Sequence, residues 1–303
     1  DEQAFTNALH TVINNHPVLR TSYQLDQEPP IQLVHKNLPA NLSVFNVKDC
    51  GKEEQLNKID VWRKQERHKD FDWQQPGLFR IAVWLLDDEH FEYILSFHHS
   101  ILDGWSVALL NSELFSHYLE SDVALPINAN EHNSIFREFN ANELNILQDP
   151  HIKAHWKSYL DGASSFTIPG QLTETHSSQG CNTVTCQQFQ TYSTGLEELA
   201  KRIGVPIQHV LLALHIKILS FMSGQQNITS LIVCNGRPEE KGGESALGLF
   251  LNSLPVRVDC NKVSWTSLIE MVSAEASNVL KYRHYPLSEV QSVTGIQFSE
   301  ILF

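Results

Sequence analysis

Two adjacent histidines, an aspartate four residues beyond the second and a glycine directly after it stand in Phe91-Glu-Tyr-Ile-Leu-Ser-Phe-His-His-Ser-Ile-Leu-Asp-Gly-Trp-Ser106. A histidine, with an ordinary pKa of about 6.5, is the side chain best suited to moving a proton at neutral pH. Two neighbouring imidazoles at a strand end cannot both face one way. One can enter a cleft while the other packs into the scaffold, and the aspartate can hold an imidazole or anchor the turn through an arginine. Gly104 lets the backbone turn sharply and approach a ligand closely. No partner nucleophile accompanies them: there is no Gly-x-Ser-x-Gly elbow and no cysteine nearby. That favours a substrate bringing its own nucleophile, an amine, hydroxyl or thiol attacking an activated acyl group. The plainer alternative is a satisfied histidine pair and a helix-capping aspartate. Four fixed residues at this spacing arise by chance in roughly one chain per thousand, which lifts the functional reading above it.

The flanking pattern supplies the elements that must position these groups. Phe91, Tyr93, Leu95 and Phe97 alternate as in a strand with one buried face, and Val107, Leu110, Leu114 and Tyr118 follow at helical spacing. The histidines therefore sit on a tight strand-to-helix connection. Leu78–Leu86 and Phe91–Phe97 bracket Asp87–His90 as a β-hairpin. Upstream, residues 4–15 read as a helix stopped by Pro17, with strands at Val18–Tyr23, Ile31–His35 and Leu42–Val47 and a charged helix over 52–68. Downstream come helices at 106–120, 133–147 and 151–160. An aperiodic, Ser/Thr/Gly/Gln-rich stretch from Gly162 to Asn182 reads as a crossover. A strand is expected near Thr183–Tyr192, then a helix capped by Thr194-Gly-Leu-Glu197 and ending at Gly204. An apolar helix to about 222 follows, then a strand at Asn227–Cys234, helices near 264–280 and after Pro286, and a last strand at 295–303. The order is α/β or α+β, in an N-terminal lobe 1–161, a linker 162–182 and a C-terminal lobe 183–303. Phe298–Phe303 alternates and stops in mid-pattern, so the chain is expected to be a fragment cut short at its C-terminus, and at its N-terminus in addition.

The 303 residues are 42% apolar and 19% charged, with a formal net charge of -13. No basic cluster is present to displace counterions, which argues against nucleic acid. The longest apolar run, Val205–Met222, is broken by Gln208, His209, His215 and Lys217 and reads as a buried helix, not a membrane span. No signal peptide is visible. Five cysteines (50, 181, 186, 234 and 260), an odd number without a Cys-x-x-Cys pair, point to a reducing, cytoplasmic setting. His151 and His155 stand at i, i+4, but no third ligand accompanies them, so no metal site is assigned.

His98-His99-Ser-Ile-Leu-Asp103-Gly104 resembles the His-His-x-x-x-Asp-Gly signature of the condensation domains of nonribosomal peptide synthetases, within the chloramphenicol acetyltransferase-like superfamily. Trp105-Ser106 is similar to the condensation branch in particular. His16-Pro-Val-Leu-Arg-Thr-Ser-Tyr23 resembles the family's early Leu-Arg-Thr motif, with Asn15-His16-Pro17 where Arg-His-Glu is usual. Phe71-Asp-Trp-Gln-Gln-Pro-Gly-Leu-Phe-Arg80, Gly236-Arg-Pro238, Gly248-Leu-Phe-Leu-Asn-Ser-Leu-Pro-Val-Arg257 and Arg283-His-Tyr-Pro286 are similar to later family segments, in the family's order. The family's opening Ser-x-x-Gln helix motif is absent.

The resemblance implies two acetyltransferase-like lobes arranged as a V-shaped pseudo-dimer, C-terminally truncated, with a tunnel that two carrier-protein phosphopantetheine arms enter from opposite sides. It implies an acyltransferase in antibiotic-type secondary metabolism that binds no cofactor directly. Its partners would be upstream (donor) and downstream (acceptor) peptidyl carrier domains and an adjacent adenylation domain, and the fragment would be monomeric. His99 is then the catalytic residue, as general base or as a positioning and electrostatic group. Asp103 is structural, in a salt bridge to Arg20 or, as second choice, Arg237. His98 packs, and Gly104 presents its N–H to the developing oxyanion. Trp105 is placed in the core ahead of a tunnel-lining role, Ser106 is a tunnel-lining candidate, and Asn252 either lines the tunnel or holds a loop. The rivals are a free-standing acyltransferase using coenzyme A, whose plant-type Asp-Phe-Gly-Trp-Gly motif is missing here, and a catalytically idle domain that docks carriers or tailoring enzymes.

Overall fold

A computed structural model describes residues 1–119, 129–166, 189–298 and 301–303, with 129–134 as backbone only. The architecture is mixed α/β and divides into two compact units. The first comprises Asp1–Ala141 and Arg237–Phe250, the second Asn142–Gly236 and Leu251–Phe303. The break after the first lobe thus falls inside a helix at 141/142 instead of after residue 161, and 237–250 returns to the first unit. The reason is chemical: Arg237 and Phe250 bond to Asp103, far back in the chain. Of the expected linker 162–182, residues 167–182 lie outside the described residues.

In the first unit, α1 (Glu2–Asn15) buries Phe5, Leu9, Val12 and Ile13. Pro17–Arg20 is a 3-10 turn and not the start of a strand. Proline's fixed φ suits the first position of a helical turn, and Leu19 N–H bonds His16 O at 3.1 Å. The hairpin β1 (Thr21–Gln24) and β2 (Ile31–Val34) is antiparallel. A three-stranded sheet follows: β3 (Leu42–Asn46) runs parallel to β4 (Phe79–Leu85), which pairs antiparallel with β5 (Phe91–Phe97). Between β3 and β4 lies α2 (Lys52–Glu66), and β5 leads to α3 (Gly104–Tyr118) and then α4 (Ala129–Ile146). Strand parity divides the sheet between two cores. Phe79, Ile81 and Val83 meet α1 and α3 on one face, while Ala82 and Trp84 meet Ile59 and Trp62 of α2 on the other.

In the second unit α5 (Pro150–Tyr159), α6 (Phe189–Ile203), α7 (Ile207–Ser223), α8 (Trp265–Val279) and α9 (Leu287–Thr294) surround the antiparallel pair β6 (Asn227–Asn235) and β7 (Leu251–Asp259). The strand expected over Thr183–Tyr192 is helical from Phe189, and residues 183–188 lie outside the described residues. Phe189, Tyr192, Leu196, Leu199 and Ile203 recur every three or four residues, so helical periodicity wins and the Thr194–Glu197 cap falls in mid-helix. The expected last strand reduces to a parallel bridge between Leu302 and Leu231, after α9 has closed on Gly295 at φ 72°. Among the described residues no single helix is long and apolar enough to cross a membrane.

Candidate active site

The alternation of β5 turns Phe91, Tyr93, Leu95 and Phe97 toward the α1/α3 core, and the ladder extends one bond beyond it, from His98 N–H to Leu78 O at 2.8 Å. His98 then packs its ring against Trp73 at a centroid distance of 4.4 Å and Phe71 at 6.2 Å. Its Nδ1 lies 2.8 Å from Ser100 Oγ and accepts from Ser100 N–H at 3.1 Å. Burial, followed by the neighbouring charge of His99, holds His98 below the ordinary histidine pKa. The next residue, His99, is exposed on the turn, its ring 6.1 Å from that of Phe97 and without a hydrogen-bond partner among the described residues.

Asp103 closes the turn and is only 1% exposed. One carboxylate oxygen caps α3, accepting from Ser106 N–H at 2.7 Å. The other accepts from Phe250 N–H at 3.2 Å, and Arg237 Nη2 donates to the two oxygens at 3.2 and 3.3 Å. Arg237, 7% exposed, also donates to Ser106 Oγ at 2.9 Å and Gly243 O at 2.9 Å, with its guanidinium 4.3 Å above the Phe250 ring. Burial lowers its pKa and Asp103 opposes that shift. Ser106 Oγ exchanges hydrogen bonds with the Gly248 backbone, 2.8 Å to the carbonyl and 3.1 Å from the N–H. Gly248 leaves no room for a side chain, since a Cβ there would stand 2.7 Å from Phe136.

Several expected roles are corrected. Arg237, not Arg20, is the partner of Asp103. Arg20 donates instead to Ile13 O at 3.0 Å, Asn14 O at 3.3 Å and His35 O, tying the last turn of α1 to the end of β2, where a cation suits the helix dipole. Ser106 is fully buried in the ion-pair network, with no exposed surface among the described residues to offer a tunnel. Trp105 is 54% exposed and not core, its indole N–H bonded to Glu244 O at 2.9 Å. Asn252 holds a loop, donating to Arg283 O at 3.0 Å and Tyr285 O at 2.7 Å. Gly104 begins α3 outside the left-handed region, with nothing within 4 Å of where its Cβ would be. The N–H groups of Gly104 and Trp105 have no acceptor among the described residues, as the first turn of a helix leaves them.

Other supporting groups escaped the sequence reading. Tyr23 O–H donates to Ser100 O at 3.1 Å, and Tyr23 N–H bonds Trp73 O at 2.7 Å. Glu113, buried on α3, meets His16 Nε2 at 2.6 Å and Asn15 Nδ2 at 3.0 Å. Burial pushes the Glu113 carboxyl up, but the His16 hydrogen bond and charge, with Asn15 and His117, carry it below the usual carboxylate range. A signal existed: Ser106, Leu110, Glu113 and His117 share one helical stripe, so an acid interrupts an apolar face.

A family model described as a condensation domain matches residues 1–301. The chain is 30% identical over 298 residues to the AMB antimetabolite synthetase AmbE of Pseudomonas aeruginosa, a match covering 96% of this chain and 14% of that protein. The first condensation domain of the CDA synthetase superposes with a TM-score of 0.78 at 18% identity, covering 98% of this chain and 72% of that one. The X-domain of teicoplanin biosynthesis, in its complex with OxyB, gives 0.77 at 17% identity, covering 98% and 66%. At such identities these structures speak for the fold alone.

Proposed function

Because the chain belongs to the condensation-domain family, we propose that it forms amide bonds between an acyl or peptidyl thioester and an amine, each carried on the phosphopantetheine arm of a carrier domain. The observation that carries this reading is an exposed imidazole, His99, with no hydrogen-bond partner among the described residues, on a turn locked by the buried Asp103–Arg237 pair. The acceptor amine attacks the thioester carbonyl carbon, the C–S bond breaks, and the amide and the free donor thiol are the products. The ammonium formed on attack is acidic and loses its proton to His99, or His99 stabilises its charge until the thiolate takes the proton. The N–H groups of Gly104 and Trp105, at the positive end of α3, are the donors for the developing oxyanion. Tethering supplies the nucleophile at high effective concentration, so the protein needs no side-chain nucleophile of its own. The reading carries with it upstream and downstream carrier domains, a neighbouring adenylation domain, and a cytoplasmic setting.

His99→Ala is the test. Product from two loaded carriers is expected to disappear while the circular dichroism spectrum and carrier binding persist; normal turnover would sink the assignment. Acyl-CoA offered in place of the donor carrier separates the coenzyme A-dependent alternative. The alternative of an idle docking domain is separated by the same assay. It requires carriers to bind without product.

A further inference from the structure

Ser100 stands in a variable position of the histidine motif, yet it is the residue to which His98 is bonded twice. A backbone N–H can only donate, so the 3.1 Å bond from Ser100 N–H requires a lone pair on His98 Nδ1. In the neutral ring the proton is therefore on Nε2, and Ser100 Oγ–H, 2.8 Å away, is the second donor to Nδ1. Protonating His98 at Nδ1 would break the bond from Ser100 N–H and force the hydroxyl to turn from donor to acceptor, and a hydrogen bond to the neutral form disfavours the charged one. The Trp73 ring at 4.4 Å restricts the imidazole, and Tyr23 O–H fixes the Ser100 carbonyl. The charged groups around the cleft that His98 faces are Arg63 and Glu66 of α2, Arg67, Lys69 and Asp70 after it, and Arg80 of β4. Of these, Arg80 pairs with Glu66, and Arg63 pairs with Glu92 of β5. The other titratable neighbour is His99.

We propose that Ser100 and Tyr23 are positioning residues that hold His98 as the neutral Nε2–H tautomer, so that the neighbouring His99 works beside an uncharged ring. A charge on His98 would repel a proton arriving on His99 and weaken it as a base. The neutral form removes that opposition at the moment the acceptor amine gives up its proton. This rests on the amide-forming reading for its effect on rate, while the tautomer itself does not.

Nitrogen-15 spectra of histidine-labelled protein test the tautomer without turnover. His98 is expected to show an unprotonated Nδ1 and a protonated Nε2, and Ser100→Ala to raise its titration by about one pH unit. With both loaded carriers supplied, log kcat is expected to fall on the acid side with a slope near one in the native chain. It steepens toward two in Ser100→Ala, where a charge on His98 also slows the reaction, and returns to one in Ser100→Thr. Tyr23→Phe, which keeps the ring, shows the same steepening to a lesser degree. A protonated Nδ1 in the native protein overturns the proposal. So does a Ser100→Ala rate lowered uniformly with tautomer and slope unchanged, the result of a purely structural role. If the native chain makes no product at all, the amide-forming reading fails, and the nitrogen signals still decide the tautomer.

Discussion

Removing the Asp103 carboxylate takes from the buried Arg237 guanidinium the acid that its Nη2 reaches, and removing Arg237 takes from the buried Asp103 carboxylate that cation. Breaking such a pair from one side costs about 3–5 kcal/mol, because the remaining charge stays desolvated. Asp103→Asn and Arg237→Ala are each expected to lose that order of stability in urea titration. A double-mutant cycle between them should show a coupling of more than about 1 kcal/mol, whereas the cycle between Asp103 and Arg20 should show none. Gly104 makes the opposite case. It has an ordinary φ and open space where a Cβ would go, so Gly104→Ala is expected to leave Tm unchanged or slightly raised, alanine being the better helix former by up to about 1 kcal/mol. If kcat/KM falls in that variant, the open space is where substrate passes. The choice between two arginines for Asp103 was not legible in the sequence. A motif shows that a carboxylate needs a cation, and only folding shows which one arrives.

At the scale of elements, α1 and α3 are joined by a polar node inside an apolar contact: Glu113 between His16 and Asn15. The Glu113 carboxyl is held below its unfolded value, so it stabilises the fold above the unfolded pKa. That contribution is lost as pH falls through the lower folded value. Urea midpoints should therefore drop on acidification below the ordinary carboxylate range, and Glu113→Gln should flatten that decline while lowering stability at neutral pH. Element boundaries followed local rules where those rules had no rival. The β4–β5 hairpin and the helix after the histidine turn were legible because period-two alternation changes to helical spacing across a single glycine. The segment from Phe189 was misread because its helical stripe is interrupted by Thr, Ser and Gly, residues that weigh against helix locally. Packing of Leu196, Leu199 and Ile203 against the core overrides that propensity.

At the scale of the molecule, neither unit is one continuous stretch of chain. Residues 1–161 contain the histidine turn, Asp103 and Ser106, but not Arg237, Gly248 or Phe250, which complete their bonding. Expressed alone, that fragment is expected to bind a hydrophobic dye and to be cleaved rapidly by protease, while the 303-residue chain resists. A fragment as resistant as the whole would show that the returning segment is dispensable. A lobe boundary read from composition could not reveal this return, since the loop between β6 and β7 carries no mark of the unit it joins.

The Asp103 to Arg237 contact spans 134 positions of chain. A ribosome adding about 5–20 residues each second takes on the order of ten seconds to travel that distance. Through that interval the nascent polypeptide holds out a finished strand, two histidines and an acid whose partner has not yet been made. Synonymous codons between the two positions therefore set how long the emerging turn stays open to solvent and to whatever holds it there.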